Sequence, residues 1–173
     1  TYVNGLYTNL IGFTDPAGVA AWAGQIDAGT SPYNVANAFL NVYQQSAAPV
    51  ALLYQAAFGR VPDYDGFTYW LNNFKTVSAG NTLLLSQQFY NSAEFAARIG
   101  GDPTTLTDSD YVLALYQNVL GRPGDFNGAT YWVNWLTAAE AAGGNTDAAK
   151  DAARNQLLDV FAASGENVSN NGK

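Results

Sequence analysis

Cysteine, histidine and methionine are all absent from this 173-residue chain. Without cysteine and histidine there can be no disulfide, no zinc or copper site of the usual kind, and no catalytic imidazole or thiolate. Charge is also scarce, because charged residues make up 12% of the sequence, against roughly 25% in an average soluble protein. These absences exclude much of ordinary enzymology and predict a surface that is polar but weakly charged.

The charges that are present are mainly negative. Fourteen acidic and seven basic residues give a net charge of −7, which repels phosphate backbones, so nucleic acid is not an expected partner. No window approaches 18 consecutive apolar residues, and no basic segment precedes an apolar one, which predicts neither membrane insertion nor a signal peptide. Since cysteine-free, lightly charged, acidic chains are common among bacterial proteins exported in one step, we expect this chain to be secreted and extracellular.

The main positive feature is a phrase that occurs three times. The copies LYQNVLGRPGDFNGATYW (115–132) and LYQAAFGRVPDYDGFTYW (53–70) align without a gap, and LYTNLIGFTDPAGVAAW (6–22) is a shorter, diverged copy. Each contains a Tyr, a Gly, an Asp, a second Gly and a Trp in the same order. Such self-similarity predicts a tandem of one supersecondary unit.

Helical periodicity surrounds each copy. One apolar stripe precedes the first Gly, a second carries the Trp, and a third follows a later Gly. Ser31 and Asn145 are predicted to cap third helices. The prediction is an all-α fold of about nine short helices in three tandem three-helix repeats, forming a single domain over 1–166 with units at about 2–46, 49–99 and 107–166. The polar segment 167–173 is predicted to be a disordered tail or a linker.

The loop between the first two helices of a unit carries opposite charges. In units two and three an Arg follows one helix C-terminus and an Asp precedes the next N-terminus, where each complements a helix dipole and the two can form an ion pair. The predicted pairs are Arg60 with Asp63 and Arg122 with Asp125. Unit one has Phe13 in place of the Arg and retains Asp15.

The same loops also resemble the first half of a calcium-binding loop, in which oxygen side chains alternate before a Gly. The oxygen side chains are those of Asp63 and Asp65 in one loop, and of Asp125 and Asn127 in the other. The third oxygen position and the closing Glu are missing. Helix capping is therefore the favoured interpretation, and calcium binding is the alternative.

The tryptophans divide into two groups. Trp22, Trp70 and Trp132 recur with an apolar residue four positions on, which is typical of core residues. Trp135 has polar counterparts in the other units, so we expect it on an exposed or inter-unit face. Aromatic rings stack on the C–H faces of sugars while polar groups bind the hydroxyls. The candidate glycan contacts are Trp135, Tyr64, Phe126, Tyr33 and Asp15.

The chain offers little for catalysis. Asp108 and Asp110 could form the carboxylate pair of a glycoside hydrolase. They follow Thr107 at the start of a helical stripe, however, so N-capping is the favoured interpretation. The sequence predicts that the protein is not an enzyme.

The repeated phrase, with its pattern LGRxPDxxGxxYW, resembles the repeat of a bacterial family of uncharacterised helical domains found in secreted repeat-in-toxin proteins and surface-layer proteins. In composition the chain also resembles the N-terminal anchoring domains of alphaproteobacterial surface-layer proteins, which are exported by type I secretion. That resemblance implies a cell-surface module that binds the O-polysaccharide of lipopolysaccharide, with calcium as a cofactor that screens its charge. The alternative is a module that contacts neighbouring protein subunits without recognising glycan.

Overall fold

Helices provide all the regular structure of residues 2–10, 14–60 and 62–171, which are the residues described by the computed structural model. These ranges contain eleven α-helices and no β-strand, which confirms the all-α prediction. A π-helical turn, Tyr43–Ala47, follows α3, and a 3-10 turn, Pro103–Thr105, precedes α8. The α-helices are α1 Tyr2–Leu10, α2 Pro16–Asp27, α3 Pro32–Val42, α4 Ala48–Phe58, α5 Tyr64–Thr76, α6 Thr82–Tyr90, α7 Ala93–Ile99, α8 Asp108–Val119, α9 Phe126–Ala142, α10 Asp147–Ala162 and α11 Gly165–Asn171.

Two of these helices, α7 and α11, are additional to the nine that the sequence predicts. Each begins at a serine whose hydroxyl oxygen accepts a backbone hydrogen bond three residues on: Ser92 from Phe95 at 3.1 Å and Ser164 from Asn167 at 3.2 Å. An N-cap of this kind satisfies one of the unpaired amides of a new helix. Phe95, predicted in the same helix as Phe89, therefore lies in a separate one.

The C-terminal segment differs from its prediction. Residues 167–171, expected in a disordered tail or linker, belong to α11. Asn167 is fully buried, and its side-chain amide donates to the carbonyl of Ala162 at 2.7 Å. A polar composition cannot reveal such a buried hydrogen bond, which is why the sequence interpretation missed it. Gly172 and Lys173 lie outside the described residues.

The chain folds as two compact units, Thr1–Ala48 and Pro49–Lys173. In the first unit, Val3, Tyr7 and Phe39 form the buried centre, with Leu6 and Trp22 among the partly buried residues around it. Ser31 caps α3, as predicted, by accepting from the amide of Asn34 at 3.2 Å. Asp15 caps α2. The grouping of the helices into three repeats within one domain stays a prediction.

Helix α10 is central to the second compact unit, because it packs against α6, α8 and α9. Its fully buried leucines, Leu157 and Leu158, join Leu85, Leu115 and Leu136 from these neighbours. Polar contacts fix the register of α6 on α10. The Ser86 hydroxyl donates to Asn155 Oδ1 at 2.6 Å, and the Asn155 amide donates to the Leu83 carbonyl at 3.2 Å.

The cap of α10 is Thr146 rather than the predicted Asn145. The Thr146 hydroxyl oxygen accepts from the amide of Ala149 at 3.2 Å. Asn145 instead has a φ of 54°, in the left-handed region that Asn tolerates better than most residues. Within the described ranges, none of the helices is long and apolar enough to cross a membrane.

Candidate functional site

The aspartates of the repeated phrase act as helix caps. Asp63 Oδ1 accepts from the amide of Gly66 at 2.7 Å, and Asp125 Oδ1 accepts from the amide of Gly128 at 2.8 Å. These hydrogen bonds satisfy amides at the starts of α5 and α9. The amide of Gly128, and after it the Arg122 guanidinium, hold the pKa of Asp125 below its ordinary value. The capping interpretation is confirmed.

The second glycine of the phrase makes room for the tyrosine. A Cβ added to Gly66 would lie 3.3 Å from the Tyr54 hydroxyl and 3.1 Å from Asp63 Oδ1. At Gly128 it would collide with the Tyr116 hydroxyl, and at Gly18 with that of Tyr7. In all three copies, therefore, the tyrosine hydroxyl lies over the first turn of the following helix.

The tyrosine and tryptophan of each copy meet on one phenylalanine of a later helix. In the first unit the ring centroids of Tyr7 and Trp22 lie 4.9 and 5.9 Å from that of Phe39. The other two trios are Tyr54 and Trp70 with Phe89, at 5.9 and 4.1 Å, and Tyr116 and Trp132 with Phe161, at 5.2 and 5.7 Å. The three tryptophans are packed against the core, as predicted, although each is partly rather than fully buried.

The arginines of the phrase have a partner that the sequence interpretation missed. Arg60 donates to both carboxylate oxygens of Glu94, at 2.8 and 3.2 Å, and is 3.9 Å from Asp63. Arg122 likewise forms a two-point pair with Glu166, and its Nη1 lies 3.5 Å from Asp125 Oδ2. The predicted Arg–Asp pairs exist, but the shorter contacts are to the glutamates.

The two glutamates occupy equivalent places at the starts of α7 and α11, two residues after the capping serine. The hydrogen bonds from Arg122 hold the pKa of Glu166 below its ordinary value. Each arginine also lies over the tyrosine of its own copy, with the guanidinium carbon 5.0 Å from the ring centroid. The recurrence of Ser-x-Glu at 92–94 and 164–166 is the sequence signal that could have revealed this pairing.

The first copy of the repeat lacks both the arginine and the glutamate of this ion pair. When Phe39 is aligned with Phe89, Val42 stands where Ser92 caps and Gln44 stands where Glu94 pairs. Without a capping serine the backbone stays helical through the π-helical turn Tyr43–Ala47. The Phe13 that replaces the arginine lies outside the described residues, and Asp15 caps α2 by accepting from Ala17 at 3.1 Å.

A buried ionic cluster holds α8, α9 and α10 together. Arg154 is 1% exposed. Its Nε donates to Glu140 at 3.1 Å, its Nη2 donates to Asp108 at 3.0 Å, and its Nη1 donates to the Pro103 carbonyl. The guanidinium also lies over the ring of Tyr111, 5.4 Å from its centroid. Asp108 is thus committed to a structural ion pair, while Thr107 caps α8.

The sequence missed Arg154 and Glu140 as core residues. The available signal was that Arg154 lies three and four residues before the buried Leu157 and Leu158, and so falls on the apolar stripe of α10. A charged residue on such a stripe is almost always paired when it is buried. A partner on a neighbouring helix was therefore to be expected.

The candidate glycan contacts are divided between the two compact units, and glycan binding at them stays a prediction. Tyr33 and Asp15 belong to the first compact unit, and the other three belong to the second. Phe126 is 84% exposed and Tyr33 73% exposed, whereas Trp135 is partly buried and lies edge-on against Trp132, with centroids 6.0 Å apart. Phe126 and Trp135 are nine residues apart on α9, about 13 Å along the axis. One sugar ring could not contact both.

Calcium binding at Asp63, Asp65, Asp125 and Asn127 stays a prediction. Asp63 and Asp125 each use one carboxylate oxygen in a cap, and Asp65 lies in the first turn of α5. In the ranges 2–10, 14–60 and 62–171, no three or more His, Cys, Asp or Glu side chains are grouped so that they could hold a metal ion.

Just under half of the chain, 86 of 173 residues, matches a known family model, and the match includes the third phrase, Glu94 and Glu166. A DUF4214 domain, a domain of unknown function, is found at residues 86–171. The DUF4214 segment also contains the buried cluster around Arg154. No curated protein and no solved structure matches the chain.

Proposed function

We propose that this chain is a noncatalytic extracellular module of a surface-layer or adhesin-type protein that anchors to cell-envelope polysaccharide, namely the O-chain of lipopolysaccharide. The observation that carries the proposal is the exposure of aromatic rings on a lightly charged surface: Phe126 is 84% exposed, Tyr33 73%, Tyr69 62% and Tyr131 60%. Exposed rings of this kind stack on sugars and do not require a charged ligand. Low net charge density suits a neutral polymer.

The roles of the motif residues support a binding rather than a catalytic module. The phrase supplies helix caps, core rings and ion pairs, and Asp108 is engaged with Arg154. Carboxylates engaged in caps and buried ion pairs are poor candidates for a pair of glycosidase acids, which must reach a scissile bond. The resemblance to surface-layer anchoring domains points in the same direction.

Co-sedimentation with lipopolysaccharide tests this proposal. The protein should co-sediment with lipopolysaccharide that carries its O-chain and not with lipopolysaccharide that lacks it. Phe126→Ser should weaken this binding, whereas Val77→Ser, which changes another exposed apolar side chain, should not. Equal co-sedimentation with both forms of lipopolysaccharide would contradict recognition of the O-chain.

A second candidate is a protein-interaction or lattice module. Leu113, Val160 and Val168 are 45%, 40% and 47% exposed on α8, α10 and α11, and exposed aliphatic side chains are more typical of protein contacts than of sugar contacts. Light scattering distinguishes the two functions. Assembly that grows with protein concentration and is unaffected by added polysaccharide favours the lattice module.

A further inference from the structure

A cavity of about 470 Å³ lies in the second compact unit, outside all three copies of the repeated phrase. It is bounded by the end of α6, the start of α7, the 3-10 turn and α10, and its polar wall includes Tyr90, Asn91, Asp102, Thr104 and Asp151. Its volume falls within the roughly 300–1,000 Å³ of small-molecule sites. We call it the Asp102/Asp151 cavity.

Each of the two aspartates is held in place through one carboxylate oxygen. Asp151 Oδ1 accepts from the Tyr90 hydroxyl at 3.0 Å. Asp102 Oδ1 accepts from the Thr104 amide at 2.9 Å and from the Thr104 hydroxyl at 2.7 Å. From the described part of the chain, the Oδ2 atoms of Asp102 and Asp151 receive no hydrogen bond. An ionised carboxylate can accept at both oxygens, so these two are available to a ligand that donates.

The protonation states around the cavity favour the same role. The hydrogen bonds from Thr104 lower the pKa of Asp102, so this carboxylate is ionised at neutral pH. Burial, and then the charge of Asp151, raise the pKa of the Tyr90 phenol. Tyr90 therefore keeps its proton and continues to orient Asp151.

The rest of the wall is small and, apart from Ser92, whose hydroxyl is engaged in the cap of α7, apolar. Ala93, Ala96 and Pro103 line the cavity beside the carboxylates and present C–H surface without bulk. A ligand that fits such a lining has several hydroxyl donors together with a C–H face. A pyranose ring has both, whereas a bare ammonium ion would use the carboxylates and leave the apolar wall uncovered.

We propose that the Asp102/Asp151 cavity is a saccharide subsite that takes one neutral sugar residue, with ring hydroxyls donating to Oδ2 of Asp102 and of Asp151. This inference rests on the proposed function, because the sugar would be part of the cell-envelope polysaccharide. The amide side chain of Asn91 adds a further polar group on the wall for a third hydroxyl.

Calorimetry with delipidated O-polysaccharide from the source organism tests the subsite. Asp151→Asn keeps an acceptor for Tyr90 but removes the charge, so affinity should fall about tenfold or more. Asp147→Asn is the matched control, because it makes the same change on the exposed first turn of α10. Its affinity should equal that of the wild type. Ala96→Leu, which fills the cavity without altering charge, should also weaken binding.

Amide chemical shifts locate the ligand independently. Methyl α-glucopyranoside, methyl α-galactopyranoside or methyl α-mannopyranoside at millimolar concentration should shift the amides of Ala93, Ala96 and Thr104. If polysaccharide binds and Asp151→Asn binds it equally well, the subsite is wrong while the proposed function stands. If the polysaccharide does not bind, the proposed function is wrong. The amide shifts caused by the glycosides then test the subsite by themselves, and their absence would contradict it. Amide shifts that are caused by methylammonium and by none of the glycosides would overturn the saccharide subsite in favour of a cation site.

Discussion

At Gly128 the absence of a side chain is what allows Tyr116 and Asp125 to share the first turn of α9. A Cβ there would collide with the Tyr116 hydroxyl and would lie 3.0 Å from Asp125 Oδ2. The spacing between tyrosine and glycine in the repeated phrase is thus a packing constraint. Steric contact of this kind explains why the phrase keeps its glycine without any reference to a ligand.

Gly128→Ala is expected to destabilise the second compact unit by about 1–3 kcal/mol, the usual cost of overpacking. Chemical denaturation measures the change in unfolding free energy. Gly165→Ala is the control, since a Cβ at Gly165 meets nothing within 4 Å, and it should change stability by no more than about 0.5 kcal/mol. Equal effects of the two substitutions would show that the contact with Tyr116 is unimportant.

Arg154 is the residue on which the buried cluster depends. Its removal leaves Glu140, which is 5% exposed, without its cation. Breaking a buried ion pair from one side costs about 3–5 kcal/mol, because the remaining charge stays desolvated. Arg154→Met should therefore lower the unfolding free energy of the second compact unit by about 3–5 kcal/mol, as measured by denaturant unfolding.

The companion measurement removes the stranded charge as well. The double variant Arg154→Met with Glu140→Met should recover a large part of the lost stability, because apolar replacements for a buried pair are often tolerated. If Arg154→Met alone lowers the unfolding free energy by less than about 1 kcal/mol, the cluster contributes far less than a buried ion pair does.

At the scale of elements, a side chain that can cap the first amides marks where a short helix begins. Ser92 and Ser164 begin α7 and α11, and the glutamates that follow bind the arginines of the preceding loops. Val42 and Gln44 replace the serine and the glutamate in unit one, where the helical backbone continues. The additional helix thus occurs in the copies that have both the capping serine and the glutamate.

The pair between Arg122 and Glu166 makes α11 sensitive to acid. The folded pKa of Glu166 is lowered, so the stabilisation is fully present above the unfolded pKa of about 4.3. It is lost as pH falls through the lower folded pKa. The ¹³Cα shifts of Glu166 to Ser169 should therefore move toward coil values below about pH 4.

Glu166→Gln is the control for this acid transition. Its neutral side chain can still accept from Arg122 but does not titrate, so the shifts of α11 should vary less with pH in this range. An identical pH profile in the variant and the wild type would assign the transition to another group. Both side chains are 39% exposed, so added salt should also weaken the pair.

The sequence predicts the helices well where the cause is local. Periodicity finds nine of the helices, and the Asp–Gly spacing indicates the caps at Asp63 and Asp125. The contacts that it misses join residues far apart in the chain: Arg60 and Glu94 are separated by 34 positions, and Arg122 and Glu166 by 44. Helical periodicity does not identify such partners, and only the recurrence of Ser-x-Glu at 92–94 and 164–166 indicates them.

Trp135 illustrates the same limit for the candidate site. Its polar counterparts predict an exposed or inter-unit face, and the ring is partly buried and lies against Trp132. Its counterpart Asn73 is itself buried, with its amide donating to Gln88 at 2.7 Å. A polar residue at an equivalent position therefore does not imply exposure, because side-chain hydrogen bonds can satisfy it inside.

At the scale of the whole molecule, the side chains that build the fold differ from those on which the proposed function rests. The phrase builds the fold through caps, rings and ion pairs, whereas the exposed rings and the Asp102/Asp151 cavity lie outside those roles. This division is consistent with a scaffold on which binding residues can vary. Tyr69, Phe126 and Tyr131 lie within copies of the phrase but are exposed. The proposed polysaccharide contact therefore depends on exposed side chains rather than on those that build the fold.

The central claim is tested most directly by calorimetric titration of purified O-polysaccharide into the protein, in calcium and in chelator. The proposal predicts saturable heats of binding with a Kd that is micromolar or lower. Titration of buffer without polysaccharide should give no such heats. Weaker binding in chelator would support a calcium contribution, for which Asp63, Asp65, Asp125 and Asn127 are the candidate ligands. No binding in either condition would contradict the proposed function.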